Sequence, residues 1–123
     1  MNDYTENPVE ARLKLPLEVD TIDGMAKEAF ENAEAHGFLE PPFPEQIALI
    51  HSEASEALED DRAGKWALTF DTKGKPLGVG QELADIIIRV GHTAYQRGID
   101  LAEMVRVKMA YNRTRPYKHG KKY

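Results

Sequence analysis

The segment from Gly80 to Gln96 carries more apolar surface than a helix needs to sit on one core. Leu83, Ala84, Ile86, Ile87, Ile88, Val90, Ala94 and Tyr95 cover well over half of its circumference at helical spacing. Its only polar stripe holds Glu82, Asp85, Arg89, His92, Thr93 and Gln96. Such a helix has to be covered on more than one side. The chain has 123 residues, which fits one domain and a modest core. A surface this wide therefore predicts a helical domain that also associates with copies of itself.

Three further segments read as helices. Ile22, Met25, Ala26, Ala29, Phe30 and Ala33 repeat at helical spacing, with Gly37 as the stop. Pro41, Pro42 and Pro44 make a stiff linker into a second helix over about residues 44–61, where Pro44 is tolerated in the first turn. Gly64, Gly74, Pro76 and Gly78 predict a loop over 63–79, with a short hairpin around Trp66–Phe70. Asp100 caps the last helix, Glu103 completes a capping-box pattern, and Pro116 cannot continue it. The expected fold is all-α and four-helix bundle-like. Residues 1–19 form an N-terminal arm, 20–116 the helical domain and 117–123 a basic tail.

Without cysteine, neither a disulfide framework nor a thiolate metal site is possible. The first residues lack an apolar signal-like core, and no stretch is long enough to span a bilayer, so a soluble, cytoplasmic protein is expected, with no membrane partner. The net charge of −5 argues against nucleic acid as a partner. From Arg113 onward, however, the chain holds five Lys or Arg and no acid, which suggests a local anion site.

Glu53 and Glu56 lie three apart on one face of the second helix, and Glu82 and Asp85 repeat that spacing in the third. If both pairs face inward between antiparallel helices, four carboxylates converge, and like charges so close are costly. A hard divalent cation relieves this: Mg²⁺ prefers carboxylate oxygens and keeps positions open for water and phosphate. The alternative is an ordinary solvated stripe in which Asp85 and Arg89 form an i,i+4 pair. In the fourth helix Lys108, Asn112 and Arg115 share the stripe of Leu101, Met104, Val105 and Tyr111. Two cations and an amide on an inward face need partners. The four acids or a bound phosphate would serve; fraying of the helix end into water is the rival reading.

Taken in order, LIHSEASEALEDDR, ELADIIIRV, GIDL and KMAYNRTRPYKHGKKY resemble the MazG-like branch of the all-α NTP pyrophosphatases, over about residues 44–121. That family's signature is EExxE, a gap, ExxD, and in many members a downstream Lys-xxx-Asn-xx-Arg run. Glu53 and Glu56 match the second and third acids, Glu82 and Asp85 the ExxD, and Lys108, Asn112 and Arg115 the downstream run. Ser52 stands where many relatives have the first glutamate, which makes the site less acidic and leaves the number of bound ions open.

The resemblance implies Mg²⁺-dependent hydrolysis of a nucleoside triphosphate to the monophosphate and pyrophosphate, in a dimer or a dimer of dimers; Mn²⁺ is a plausible substitute ion. Glu53, Glu56, Glu82 and Asp85 would be metal ligands, with Glu53 or Glu56 also activating the attacking water. Lys108 and Arg115 would hold phosphate oxygens, and Asn112 the sugar, a metal-bound water or a ligating carboxylate. Lys118 and Lys121 would close over the phosphates, or else form a solvated tail. Trp66 would stack on the base, or else act as an apolar anchor. His92 would sit beside the metal site, and His51 off the acid face. A non-catalytic nucleotide- or metal-binding regulator is the competing class, and a phosphoribosyl-ATP pyrophosphohydrolase the competing enzyme.

Overall fold

In the computed structural model, which describes residues 19–38 and 40–121, Thr21 opens the first helix. Its hydroxyl accepts from the Gly24 N–H at 2.9 Å, satisfying one of the free donors of the first turn. Helix α1 spans Ile22–Ala35 and ends at Gly37, whose φ of 82° suits a residue without Cβ. Helix α2, Phe43–Arg62, starts after the prolines, and α3, Val79–Gln96, follows a small hairpin. That hairpin pairs β1 (Thr69–Phe70) antiparallel to β2 (Pro76–Leu77), with Thr69 opposite Leu77 and Phe70 opposite Pro76. Asp71 turns it by accepting from the Lys73 and Lys75 N–H groups at 2.8 and 2.9 Å. Helix α4 spans Leu101–Thr114, and a 3₁₀ turn covers Tyr117–Gly120.

The chain is thus mainly helical, with four α-helices and one minor two-stranded sheet. Asp100 caps α4 as expected, accepting from the Glu103 N–H at 3.0 Å. The Glu103 carboxylate turns instead to Arg106, at 2.9 Å. Residues 1–18, nearly all of the expected arm, lie outside the described residues, as do Lys122 and Tyr123 of the expected tail.

Helices α1 and α2 both pack on α3. The approach of α1 is closest at Gly91, where a Cβ would lie 2.8 Å from the Met25 sulfur and 3.1 Å from the Ala26 Cα. Two polar links set α2 against α3. Near one end, Gln46 donates to the Gln96 Oε1 at 2.8 Å. Near the middle, the Arg89 Nε donates to the Glu53 Oε1 at 3.1 Å. Glu53 follows Gln46 by one heptad and Arg89 precedes Gln96 by one heptad, so the helices run antiparallel in a fixed register. At about 1.5 Å per residue both links are matched along the two axes. The next turn of α2 then brings Glu56 toward the Glu82–Asp85 end of α3.

The polar stripe of α3 faces its neighbours, and much of its apolar surface faces out. Thr93 is buried, while Leu83 and Ile87 are 51% and 55% exposed. The bundle is correspondingly incomplete. Helix α4 is anchored near its start, where the Ala102 N–H donates to the Asp23 Oδ1 at 3.3 Å. From Arg106 to Thr114 every residue is exposed, including Val107, Met109 and Tyr111. Nothing among the described residues covers the outward apolar side chains of α3 and α4. Among the described residues, no helix is long and apolar enough to cross a membrane.

Candidate metal centre

The α2–α3 register brings Glu53, Glu82 and Asp85 together, with one carboxylate oxygen from each within 4.8 Å of the others. Glu53 is the buried member: its side chain is only 10% exposed. Oε1 is held by Arg89, but Oε2 is buried and has no hydrogen-bond partner. An acceptor left bare in the interior costs about 1–3 kcal/mol, and more for a charged group. The other oxygens around it belong to carboxylates, which have no proton to offer when ionised. A cation is the partner this donor set fits, and hard oxygen ligands suit Mg²⁺, Mn²⁺ or Ca²⁺ better than softer metals.

The electrostatics carry the same strain. Burial, then the neighbouring Glu56, push the Glu82 carboxyl up to about 7. Asp85 is raised as well, first by burial and next by the Glu53 charge, with Arg89 opposing. Glu56 is exposed and lies outside the three-oxygen group, at the edge of the cluster beside Glu82.

A cavity of about 660 Å³ opens directly from this cluster, between α1, α2 and α3. Glu53, Asp85 and Arg89 line it at the acid cluster, and Asn32, His36, Phe38, Glu45 and His92 are among the residues that line it elsewhere. The volume lies within the range of small-molecule sites, roughly 300–1,000 Å³. His92 packs edge-on against Phe30, with ring centres 5.6 Å apart, and lines the cavity. Among the described residues the His36 ring bonds only to its own helix, Nδ1 donating to the Asn32 carbonyl at 2.8 Å.

The remaining expected site residues are not gathered here by a single chain. Lys108 and Arg115 each lie 5.6 Å from the centre of the Tyr111 ring. Neither pairs with an acid of the cluster, and neither they nor the exposed Asn112 line the cavity. Lys118 stands 5.7 Å from the Tyr117 ring in the 3₁₀ turn, and Lys121 follows it, exposed. Trp66 is neither an apolar anchor nor a wall of the cavity. It is 61% exposed, and its indole N–H donates to the Asp61 Oδ1 at 3.0 Å. His51 is exposed, which gives no support to a structural role for it.

The pairing that the solvated-stripe alternative requires is not formed. Arg89 does not fold back on Asp85; it crosses to α2 and binds Glu53, because the buried carboxylate offers a stronger acceptor than one in solvent. The sequence also carried a signal that spacing alone did not reveal. Gln46 sits two turns before Glu53 on the same face and is buried in a network with Gln96 and Arg97. It is this network that fixes the register of the acids. No protein-family model matches the chain, and neither does any curated protein or solved structure.

Proposed function

We propose that this chain is a MazG-like, Mg²⁺-dependent nucleoside triphosphate pyrophosphohydrolase. The observation that carries this reading is the bare, buried Glu53 Oε2 within the Glu53–Glu82–Asp85 cluster, at the mouth of a ligand-sized cavity. A hard-cation site next to a nucleotide-sized space is what phosphoanhydride hydrolysis requires. When bound, Mg²⁺ would neutralise phosphate oxygens and lower the pKa of a water.

Glu53, Glu82 and Asp85 would hold the ion, and Glu56, at the exposed edge, would orient and deprotonate the attacking water. The water oxygen bonds to the α-phosphorus while the bond from that phosphorus to the bridging oxygen breaks. The nucleoside monophosphate and pyrophosphate are the products. The sugar and base extend into the cavity, toward Asn32, His36, Phe38 and His92. Phe38 is 69% exposed at the rim, free to meet the flat face of a base.

The working unit in this reading is a homodimer or a dimer of dimers. The outward apolar side chains of α3 and α4 are what a second copy would cover. Lys108, Asn112 and Arg115 enter the reading through that assembly, which would carry α4 of one copy toward the cluster of another.

The test is pyrophosphate release from a panel of NTPs, dNTPs and phosphoribosyl-ATP with Mg²⁺. Pyrophosphate and a monophosphate from at least one member, abolished by EDTA, is the expected result. Release of orthophosphate alone, or no turnover with any member, would overturn the reading.

A further inference from the structure

On α2, Glu45, Leu49 and Glu53 all line the cavity, and their spacing by four residues sets them in one row along a single face of the helix. From one end of the row to the other the helix rises about 12 Å, at ~1.5 Å per residue. Glu53 belongs to the acid cluster, and Glu45 lies at the far end of the row. That span matches the reach of a nucleotide from its α-phosphate to the outer edge of its base. Leu49 would then lie beside the sugar.

Several polar groups on the cavity wall are already committed. The Gln46 amide donates to Gln96 and its oxygen accepts from Arg97, while the Thr93 hydroxyl donates to the Arg89 carbonyl. The His36 Nδ1 donates to the Asn32 carbonyl, so in the neutral ring Nε2 is left as an acceptor. Glu45 has neither a hydrogen bond nor an ion pair among the described residues. A glutamate in the first turn complements the helix dipole, but that role does not call for a place on the cavity wall. An ionised carboxylate accepts and cannot donate. This end of the cavity therefore suits a base that presents N–H donors.

Guanine carries two adjacent donors on its pairing edge, N1–H and N2–H, and a carboxylate can receive both in parallel, as it receives the fork of an arginine. Adenine and cytosine set a ring-nitrogen lone pair beside their amino group, and uracil and thymine set N3–H between two carbonyls. Either arrangement puts an acceptor against the second carboxylate oxygen. We infer that Glu45 selects guanine: its carboxylate receives N1–H and N2–H, while Phe38, 69% exposed at the rim, stacks on the ring. The placement of the phosphates rests on the pyrophosphohydrolase reading, but the choice of base is measurable as binding, without turnover.

The experiment is calorimetric binding of GMP, IMP, AMP, CMP and UMP in Mg²⁺ to wild type, Glu45→Gln and Glu45→Asp, beside pyrophosphate release from the matching triphosphates. Wild type should bind GMP at least about tenfold more tightly than the other four, IMP included, because its base lacks the 2-amino group. In Glu45→Gln one acceptor becomes a donor, so the preference for GMP over UMP should fall at least about tenfold while the protein stays folded. Glu45→Asp keeps the charge at shorter reach and should still bind GMP best, by a smaller margin. Equal binding of GMP and IMP by wild type, no binding of any of the five, or an unchanged preference in Glu45→Gln would overturn the proposal. Pyrophosphate release in any of those cases would leave the pyrophosphohydrolase reading standing. GMP-selective binding that Glu45→Gln loses, without release from any triphosphate, would support the role of Glu45 and sink the hydrolytic reading alone. The wild-type ratio of GMP to IMP and the aspartate variant keep the test decisive should the glutamine variant fail to fold.

Discussion

Arg89 reaches from α3 to Glu53 on α2, and the carboxylate oxygen it leaves uncovered, Oε2, is buried without a partner. The pair is therefore only half of an interaction. A buried ion pair with one bare acceptor is a poor stability device, since desolvation offsets most of its Coulomb energy. In the proposed reading it is a prepared ligand: the arginine holds one oxygen of a carboxylate that lies in a cluster with Glu82 and Asp85 and leaves the other bare. Selection for folding alone would favour an apolar contact at this place.

The first prediction is a dependence of metal-free stability on pH. Glu82 has a folded-state pKa of about 7 against an ordinary 4.5, and Asp85 is shifted in the same direction. A raised acid holds its proton longer in the folded chain than in the unfolded one. Its contribution to stability is complete below about 4.5 and disappears as pH rises through about 7. With EDTA present, this cluster should lower the melting temperature between about pH 5 and about pH 8, and Mg²⁺ at the upper end should restore it. A metal-free melting temperature that climbs steadily through neutrality would show that the acids do not repel one another as described.

The second concerns the outward face of α3. Ile87 is 55% exposed in a single chain, so Ile87→Glu in a monomer should change stability by no more than about 0.5 kcal/mol. If a second copy covers that face, the new charge is buried at an interface. Sedimentation should then show dissociation, together with a loss in thermal stability. A monomeric wild type, or a variant that associates as before, would remove the assembly from the account.

The third concerns the α1–α3 crossing. A Cβ at position 91 would meet the Met25 sulfur at 2.8 Å and the Ala26 Cα at 3.1 Å. The methionine can move aside, but the helix backbone cannot. Overpacking costs about 1–3 kcal/mol, against roughly 1 kcal/mol gained in helix propensity when Ala replaces Gly. Gly91→Ala should therefore lose about 1 kcal/mol in urea unfolding. A stabilised variant would mean the helices are farther apart than described.

The helices were legible in the sequence because their signals are local. The α3 periodicity, the Asp100 cap and the prolines before α2 each act within a few residues, and the boundaries follow from them. The pairing of Glu53 with Glu82 and Asp85 was legible only as a condition on the acid stripes facing each other. What decides it is the Gln46–Gln96 link, a long-range polar contact that no period announces. The path of Arg89 to Glu53 is hidden from the sequence for the same reason. An i,i+4 partner is visible in sequence, whereas a partner on another helix is not. The reading of Lys108, Asn112 and Arg115 as inward-facing assumed that the helices close on one another, whereas all three are exposed or half-exposed and 106–114 lies uncovered among the described residues.

Turnover by Asp85→Asn at saturating Mg²⁺ tests the central claim most directly. The substitution keeps size and shape and removes one charge from the three-oxygen cluster. Wild type should release pyrophosphate, and the variant should fall by at least about 100-fold, or about 2.7 kcal/mol in barrier, while melting without metal at or above the wild-type temperature. A variant that releases pyrophosphate at the wild-type rate would contradict the assignment of Glu53, Glu82 and Asp85 as the metal centre.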